Sequence, residues 1–400
     1  MIRQNFNADW TVEKGDGNSR MNSFLGNTQT KTVHLPYDAM IHEARTPDTK
    51  NGAQTGFYPG GEYIFQKHFT APQAWQGKPV SLVFEGVYQT ALVYLNGWLL
   101  TRNVNGYAEF TVEAGPYLKY GADNLLKVIA DNSLEPNSRW YTGSGIYRPA
   151  RLLVGNKVYL PQDTVRITTR EADEGFALLD VTAQVQSAST VTERVTLQQT
   201  ICREGTAVLT DRQNLLLQPG ESRTVSFRYC VDSPALWSPE NPNLYTSTMQ
   251  VLEGEEELDR EETSFGIRTL SIDAAHGVRI NGQTVKLRGA CIHHDNGILG
   301  AATLPDAEER RIRQLKEAGF NAIRSSHHPA GRALLDACDR YGVLVMDELS
   351  DVWNVRKNPY DYALYFEQDW KPTIQKMVAK DYNHPSVILY CVGNEISEAG

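Results

Sequence analysis

An amide and a carboxylate follow a short apolar run close to the end of the sequence. The run from Ser386 to Val392 has the length and composition of a buried parallel strand, and Asn394 and Glu395 come just after it. In α/β barrels the reactive groups lie at the carboxyl ends of the strands. A carboxylic acid there can protonate the leaving oxygen of a glycosidic bond while the amide binds a sugar hydroxyl. The pair suits glycoside hydrolysis, but its spacing leaves a helix cap or a salt bridge equally open as the role of Glu395.

Three earlier apolar runs also end in polar residues. These residues are His293, His294 and Asp295 after the first run, His327 and His328 after the second, and Asp347 and Glu348 at the end of the third. Histidine can bind sugar hydroxyls or stabilise developing charge, although a histidine-proline loop can also be purely structural. Adjacent histidines on an extended segment point to opposite sides, so His293 and His294 do not suit one metal ion. We take His293, Asp295 and His327 as candidate substrate-binding residues, with a purely structural role as the open alternative, and we predict no metal site.

The carboxylates of the third run and the aromatic residues after it each leave two alternatives. Asp347 and Glu348 could act together with Glu395, or they could form a buried ion pair with Arg324. The aromatic residues could stack on sugar rings or pack in the core. They are Trp353, Tyr360, Tyr362, Tyr365 and Phe366. From this group we take Trp353 as a candidate substrate-binding residue.

The residues after Val285 alternate between apolar strands and amphipathic helices. The spacing of Asp306 and Glu309 predicts an N-cap with a capping box, and Gly319 predicts the end of this first helix. Gly342 predicts the end of the second helix. Right-handed crossovers between parallel strands bring the strand ends to one edge of the sheet. The candidate residues should therefore share one face of the domain.

Four strand and helix units suit either a doubly wound sheet or half of a (β/α)8 barrel. No Gly-rich phosphate loop follows the first strand, so a dinucleotide-binding fold is disfavoured. We predict the first half of a TIM barrel over residues 271–400. Half a barrel cannot close, and a complete one has about 250 residues. We therefore expect the natural protein to continue past Gly400.

Strand and turn patterns without a helical period fill the chain before these units. Asn96-Gly97 and Asn281-Gly282 are strong hairpin signals, because both positions of such a turn must tolerate positive φ. Residues 1–160 predict a jelly-roll β-sandwich of sugar-binding type, with Gly143-Ser144-Gly145 in an exposed loop. Residues 161–270 predict an immunoglobulin-like β-sandwich. The expected fold class is multidomain, with β domains followed by an α/β domain.

Composition and charge exclude several classes of partner. With 41% hydrophobic and 22% charged residues over 400 positions, the chain suits a soluble globular protein of two or three domains. A net charge of −9 without a basic cluster argues against nucleic acid or an anionic membrane as partner. No apolar run approaches the ~20 residues of a membrane span, and no signal peptide is evident. We expect a cytoplasmic protein.

Five cysteines are scattered along the sequence without a CxxC pair. They are Cys202, Cys230, Cys291, Cys338 and Cys391. Three of them lie within apolar strand or helix patterns. This distribution predicts buried free thiols rather than disulfides or a zinc site.

Several motifs, in their order along the chain, resemble those of glycoside hydrolase family 2. They are Gly143-Ser144-Gly145-Ile146-Tyr147-Arg148, Leu236-Trp237-Ser238-Pro239-Glu240, Arg288-Gly289, Arg324-Ser325-Ser326-His327-His328-Pro329, Asp347-Glu348 and Gly393-Asn394-Glu395. The succession of jelly-roll, immunoglobulin-like sandwich and barrel extends the resemblance over essentially the whole chain. The resemblance implies a retaining exo-β-glycosidase that acts by double displacement through a covalent glycosyl-enzyme.

The resemblance also implies roles for individual residues. Glu395 matches the acid/base of the family, and Asn394 matches the residue that binds the 2-hydroxyl of the sugar. His327 matches a histidine that helps to stabilise the transition state. The nucleophile of the family is a second glutamate on a later barrel strand, which we expect beyond Gly400.

Substrate and partners follow from the same resemblance. Asp351, Trp353 and the segment Lys357-Asn358-Pro359-Tyr360-Asp361-Tyr362 are similar to those of family members that are β-galactosidases, so terminal β-D-galactosides are the expected substrates. Family members that cleave β-glucuronides or β-galacturonides share the same motifs up to this point. A non-catalytic carbohydrate-binding protein is the alternative from another class. Some galactosidases of the family bind magnesium and sodium near the acid/base, but no ligand set is assigned and no cofactor is predicted. A homo-oligomer is expected.

Overall fold

Two β-sandwiches precede a parallel sheet in the computed structural model, which describes residues 1–15 and 30–397. The first sandwich has ten strands. They are β1 (Ile2–Asn5), β2 (Trp10–Lys14), β3 (Lys31–Val33), β4 (Gly61–Thr70), β5 (Val80–Phe84), β6 (Thr90–Leu95), β7 (Trp98–Asn103), β8 (Phe110–Glu113), β9 (Asp123–Asn132) and β10 (Ala150–Val154). One sheet has the order β1-β10-β5-β8 and the other β3-β2-β4-β9-β6-β7. Trp10, Phe65 and Phe84 are fully buried between them.

The second sandwich has eight strands. They are β11 (Val158–Tyr159), β12 (Arg166–Ala172), β13 (Phe176–Ser187), β14 (Glu193–Arg203), β15 (Thr206–Leu217), β16 (Ser222–Asp232), β17 (Tyr245–Glu253) and β18 (Glu256–Phe265). One sheet joins β11, β12 and β16 to β13, and the other has the order β15-β14-β17-β18. Buried and outward residues alternate along these strands, as expected for sheets with one face on the core. Since β11 pairs with β13, the second sandwich includes the residues from Val158 onward.

The last domain begins with the antiparallel strands β19 (Leu270–Asp273), β20 (Gly277–Ile280) and β21 (Gln283–Thr284). Four parallel strands follow, β22 (Gly289–Ile292), β23 (Ala322–Ser325), β24 (Leu344–Glu348) and β25 (Val387–Cys391). The helices are α1 (Pro305–Glu317), α2 (Arg332–Tyr341) and α3 (Phe366–Asp381). The strands pair in sequence order, which confirms the predicted first half of a barrel. None of the described helices combines the length and apolar content that a membrane crossing requires.

Short 3-10 turns complete the described secondary structure. They span Met40–His42, Gly52–Thr55, Gln73–Trp75, Gly115–Tyr117, Gly297–Leu299 and Tyr362–Leu364. The two predicted hairpin turns are confirmed, since Asn96 and Gly97 have φ of 52° and 90°, and Asn281 and Gly282 have φ of 51° and 75°. These left-handed conformations match the twist of the flanking strands.

The start of α1 differs from the predicted capping box. The helix begins at Pro305, and Leu304 is the N-cap residue without a side-chain hydrogen bond. Proline suits the first helical position, because its fixed φ is helical and its missing N–H has no intrahelical partner there. Asp306 therefore lies inside the first turn, where the helix dipole favours its charge. The predicted stop at Gly342 is confirmed by a φ of 66° directly after α2.

The prediction of buried thiols is wrong for four of the five cysteines. Only Cys338 is buried, whereas Cys202 and Cys391 are partly exposed and Cys230 and Cys291 are exposed; all five are free. Cys230 lies at an outward position of the alternating strand β16, and Cys291 lies on the edge strand β22. An apolar pattern alone does not reveal which face of a strand is covered.

Trp237 packs at the junction between the second sandwich and the parallel sheet. Its ring is fully buried against Ile280, Leu344 and Ile388, and Nε1 donates a hydrogen bond of 3.0 Å to the carbonyl of Asp339. The proline-punctuated segment around it is therefore a packed crossing between domains.

Replacement of Trp237 by alanine should lower the free energy of unfolding by about 3–5 kcal/mol, because it leaves a cavity at this junction. Urea unfolding measures the change. Trp98→Ala is the matched control, since its side chain is 66% exposed, and it should change the value by less than about 0.5 kcal/mol. Equal losses in the two variants would contradict the assigned role.

Candidate active site

Asn394, at the tip of β25, is held by hydrogen bonds on both sides of its amide. Its Nδ2 donates to Asp351 Oδ1 at 2.8 Å, and its Oδ1 accepts from Arg324 Nη2 at 3.1 Å. A carboxylate only accepts and a guanidinium only donates, so the two contacts fix which way the amide faces. One Nδ2 hydrogen remains for a ligand.

Glu395 differs from its neighbour in being open to solvent. Its side chain is 68% exposed, and Oε2 lies 3.3 Å from Arg139 Nη1 and 3.6 Å from Lys357 Nζ. Its φ of 48° is in the left-handed region, which is uncommon for residues other than glycine. The turn leaves the carboxyl group accessible to a substrate oxygen.

Asp351 is the centre of the charges around this turn. Arg139 donates to both of its oxygens, from Nε at 3.0 Å and from Nη2 at 2.7 Å, and Lys357 Nζ lies 3.0 Å from Oδ1. Burial by itself raises the pKa of Asp351, but the hydrogen bonds from Arg139, Asn394 and Lys357 outweigh it and hold the pKa below its ordinary value. Asp351 is therefore an ionised acceptor, and it was not among the predicted site residues.

Glu348 is paired to cations, and the ion-pair alternative is the one found. Arg324 donates to Glu348 from Nε at 2.7 Å and from Nη2 at 2.9 Å, and Glu348 has no exposed side-chain surface. His327 Nδ1 lies 3.2 Å from each carboxylate oxygen. Glu348 therefore orients His327 and Arg324 and is not a free carboxylate beside Glu395.

His293 lies in an aromatic contact between the first sandwich and the strand tips. Its Nδ1 is 2.6 Å from the carbonyl of Ser326, which can only accept, so the proton is on Nδ1. Its ring stacks on Trp140 at 4.9 Å, and Trp140 meets the His327 ring edge-on at 5.7 Å. Burial lowers the pKa of His293, which favours the neutral ring. Nε2 is then the atom left to accept from a ligand.

His294 and His328 hold domains together and do not face the opening. His294 Nε2 donates to the carbonyl of Thr142 at 2.9 Å, and burial lowers its pKa to about 3. His328 stacks on Tyr107 at 4.3 Å, and burial also lowers its pKa. The structural interpretation of these two histidines is the one found.

The Gly143-Ser144-Gly145 loop is buried, contrary to the expected exposure. Its serine N–H donates to Asp38 Oδ1 at 2.9 Å, and its hydroxyl accepts from Asn132 Nδ2 at 2.6 Å. A Cβ on Gly143 would lie 2.5 Å from Ala301 of the last domain. The loop thus packs where two domains meet, which the strand pattern around it does not indicate.

Asp295 and Trp353 lie at the tips with their own partners. Asp295 follows the end of β22, and its main-chain carbonyl accepts a hydrogen bond from the Arg311 side chain. Trp353 Nε1 donates to the carbonyl of Val392 at 2.9 Å, and its ring stacks on Phe366 at 6.1 Å. Trp353 therefore braces the turn that carries Asn394. Substrate binding by Asn394, His327, His293, Asp295 and Trp353 stays a prediction.

A cavity of about 50 Å³ separates the first sandwich from these tips. Its lining includes Tyr88, Tyr107, Trp140, His327, Asp351 and Asp361. The first sandwich therefore forms one wall beside the strand tips.

Another group of possible cation ligands lies near the opposite ends of the strands. Asp336, Asp339 and His384 have ligand atoms within 4.8 Å of one another. His384 Nδ1 is 2.6 Å from Asp339 Oδ2, and although burial lowers the pKa of His384, the charge of Asp339 raises it above the ordinary value. Asp339 and His384 therefore form an ion pair. No binding site for a divalent cation is assigned.

A buried carboxyl pair lies beneath Glu348. Asp347 and Asp381 have no exposed surface, and Lys380 contacts Asp381. Burial and the charge of Asp381 raise the pKa of Asp347 well above its ordinary value, although Lys380 opposes this. Neither Oδ2 atom has a hydrogen-bond partner among the described residues. The raised pKa means that Asp347 keeps its proton at a higher pH than an ordinary aspartate does.

Two sandwiches followed by a barrel sheet, with an acid, an amide and histidines at the strand ends, define the architecture of a multidomain glycoside hydrolase. The chain belongs to glycosyl hydrolase family 2. Residues 10–176 match "Glycosyl hydrolase 2 galactose-binding domain-like", residues 158–268 match "Glycosyl hydrolases family 2", and residues 274–400 match "Glycosyl hydrolases family 2, TIM barrel domain". The resemblance and the fold class are thereby confirmed.

Two curated relatives carry different activities in their names. A β-galactosidase of Bacteroides ovatus is 37% identical, with 99% of this chain and 47% of the relative covered. A putative β-glucuronidase of Formosa agariphila is 32% identical, with 98% of this chain and 37% of the relative covered. The chain thus spans less than half the length of these relatives.

Two solved structures extend the comparison. A glycosyl hydrolase family 2 member from Bacteroides cellulosilyticus has a TM-score of 0.95 and 37% identity, covering 100% of this chain and 52% of that one. A calcium binding mutant of Bacteroides uniformis β-glucuronidase 2 has a TM-score of 0.83 and 27% identity, covering 99% and 47%. The first agreement includes the arrangement of all three domains.

The Asp347 pair should make stability fall as pH rises. A carboxyl group whose pKa is raised on folding holds a proton that the unfolded chain has lost, so the free energy of unfolding decreases above the unfolded pKa. We expect wild type to lose up to about 1.4 kcal/mol per pH unit relative to Asp347→Asn as the pH rises above the unfolded-state pKa of about 4. Urea unfolding at each pH measures this. Asp48→Asn is the control, since Asp48 is exposed, and its stability should change with pH in parallel with wild type. If the stability of Asp347→Asn also changes in parallel with wild type, the raised pKa of Asp347 is contradicted.

Proposed function

We propose that this protein is a retaining exo-β-glycosidase that hydrolyses terminal β-D-galactosides by double displacement. The observation that carries the proposal is the Asn394-Glu395 turn at the tip of β25, with an immobilised amide beside an exposed carboxyl group. Family membership supports glycosidic bonds as the target. A homo-oligomer and a cytoplasmic location stay predictions.

Glu395 is the proposed general acid and base. In the first step it protonates the glycosidic oxygen as that bond breaks, while a nucleophilic carboxylate forms a bond to the anomeric carbon. In the second step Glu395 takes a proton from water, which displaces the carboxylate and restores the enzyme. The free Nδ2 hydrogen of Asn394 suits the sugar 2-hydroxyl, whose hydrogen bond strengthens as positive charge develops.

The nucleophile is proposed to lie outside residues 1–400. The reaction needs a second free carboxylate about 5–5.5 Å from the acid. Glu348 is buried against Arg324, and Asp351 is bound by Arg139 and Lys357. A carboxylate bound by cations on several sides is a poor nucleophile, so neither is assigned this role. Activity assays therefore use the complete polypeptide.

A neutral sugar fits the charges at the described tips better than a uronide does. A uronide carboxylate requires an available cation. Arg324 is paired with Glu348, and both Arg139 and Lys357 are shared between Asp351 and Glu395. The name of the 37% identical relative, a β-galactosidase, agrees with this choice. The β-glucuronidase relative makes a β-glucuronide or β-galacturonide the second candidate.

A panel of aryl β-D-glycosides with one common aglycone tests the sugar. We expect the galactoside to have the highest kcat/KM, by at least about tenfold over the glucuronide, galacturonide, glucoside and mannoside, because the described cations are already paired. Spectrophotometric release of the aglycone measures each rate. Faster turnover of a uronide would overturn the galactoside assignment. Sugar binding by calorimetry without any turnover would favour the non-catalytic carbohydrate-binding alternative.

Glu395→Gln should lower kcat/KM by about 10²- to 10⁴-fold on an aryl glycoside with a poor leaving group, because general acid catalysis is lost. An activated dinitrophenyl glycoside should lose far less, since its leaving group departs without protonation. Added azide should raise turnover of the variant on the activated substrate, because an anionic nucleophile needs no general base.

Glu367→Gln is the matched control, since Glu367 is an exposed acid in the first turn of α3. It should retain wild-type rates on both substrates. Full activity of Glu395→Gln on the poor leaving group would exclude Glu395 as the acid.

A further inference from the structure

Arg139 extends from the first sandwich to the acid at the tip of β25. It lies between β9 and β10, 212 residues before Asp351. All three of its guanidinium nitrogens are engaged, because Nε and Nη2 bind Asp351 while Nη1 lies 3.3 Å from Glu395 Oε2. One planar group therefore contacts both carboxylates.

We propose that Arg139 is a positioning residue for the general acid Glu395, so that the first sandwich completes the geometry of the active site. This inference rests on the proposed function of Glu395. Arg139 acts through Glu395: it contacts the Glu395 carboxyl group and sets where the acid lies.

The rigid shape of the guanidinium explains why arginine suits this position. Its paired nitrogens match a carboxylate, and the third nitrogen is then held at a defined angle to that pair. Asp351 in turn accepts from Asn394, whose opposite side is held by Arg324. The Asp351 carboxylate binds Arg139 on one side and Asn394 on the other, and Arg139 also contacts Glu395. The positions of the acid and the amide are therefore both set relative to Asp351.

Contacts elsewhere already dock the first sandwich, so docking does not require Arg139. Arg148 Nη2 donates to the carbonyl of Pro329 at 3.0 Å, and Arg332 Nε binds Glu109 Oε2 at 2.7 Å. The Arg139 side chain is 35% exposed at the opening. The geometry of Arg139 is better explained by its contacts with Asp351 and Glu395, whose carboxyl groups it orients.

Arg139→Gln in the complete polypeptide tests the proposal with two aryl glycosides of the preferred sugar. We expect kcat/KM on the poor leaving group to fall by about 10²-fold, because a misplaced acid no longer reaches the departing oxygen. On the activated dinitrophenyl glycoside the loss should stay below about threefold, since that bond breaks without a proton. Arg139→Lys keeps the charge without the fork, and its loss should be intermediate.

Arg102→Gln is the matched control. Arg102 also extends from the first sandwich to the last domain, where Nη2 lies 3.4 Å from the hydroxyl of Tyr365. It should leave both rates within about twofold of wild type. Equal losses on both substrates in Arg139→Gln, or unchanged rates, would overturn the positioning role. Failure of the wild-type polypeptide on every glycoside would instead overturn the proposed function.

Discussion

Parallel pairing of β22 to β25 is the interaction that brings the candidate active-site residues together. Parallel strands joined by helical crossovers all end at one edge, so residues separated by about a hundred positions meet there. His293, His327, Glu348 and Asn394 owe their proximity to this pairing. Each of these side chains is also held by a hydrogen bond or an ion pair to another residue, which limits its motion. The chemistry depends on side chains whose orientation is set before a substrate arrives.

Opposite charges at these tips are closely matched. Arg324 neutralises Glu348 in the interior, and Arg139 and Lys357 balance Asp351 and Glu395 at the opening. Buried charges carry a large desolvation cost, so a carboxylate inside the fold needs such partners. Glu395 is the exception in being mostly solvent-exposed, which suits a group that must accept and release a proton. The arrangement separates structural carboxylates from the proposed catalytic one.

Local patterns predicted the elements, but long-range contacts decided much of the site. The strand ends followed from apolar runs, and the hairpin at Asn96-Gly97 followed from backbone stereochemistry. Arg139 and Asp351 were missed as partners because 212 residues separate them and no periodicity relates them. The predicted capping box at Asp306 is wrong because the helix starts at Pro305, two residues earlier than an N-cap at Asp306 implies. The exposed thiol of Cys230 shows that an alternating strand does not identify its covered face.

A crystal structure of the complete polypeptide with a sulfur-linked galactoside bound shows directly which groups meet the glycosidic bond, since the thioglycosidic bond resists hydrolysis. We expect the sugar ring to lie at the ends of β23 to β25. There the Glu395 carboxyl group should face the glycosidic sulfur at about 3–3.5 Å, and Asn394 Nδ2 should donate to the 2-hydroxyl at about 3 Å. A sugar bound away from these strand ends, or a different carboxyl group at the glycosidic sulfur, would contradict this expectation.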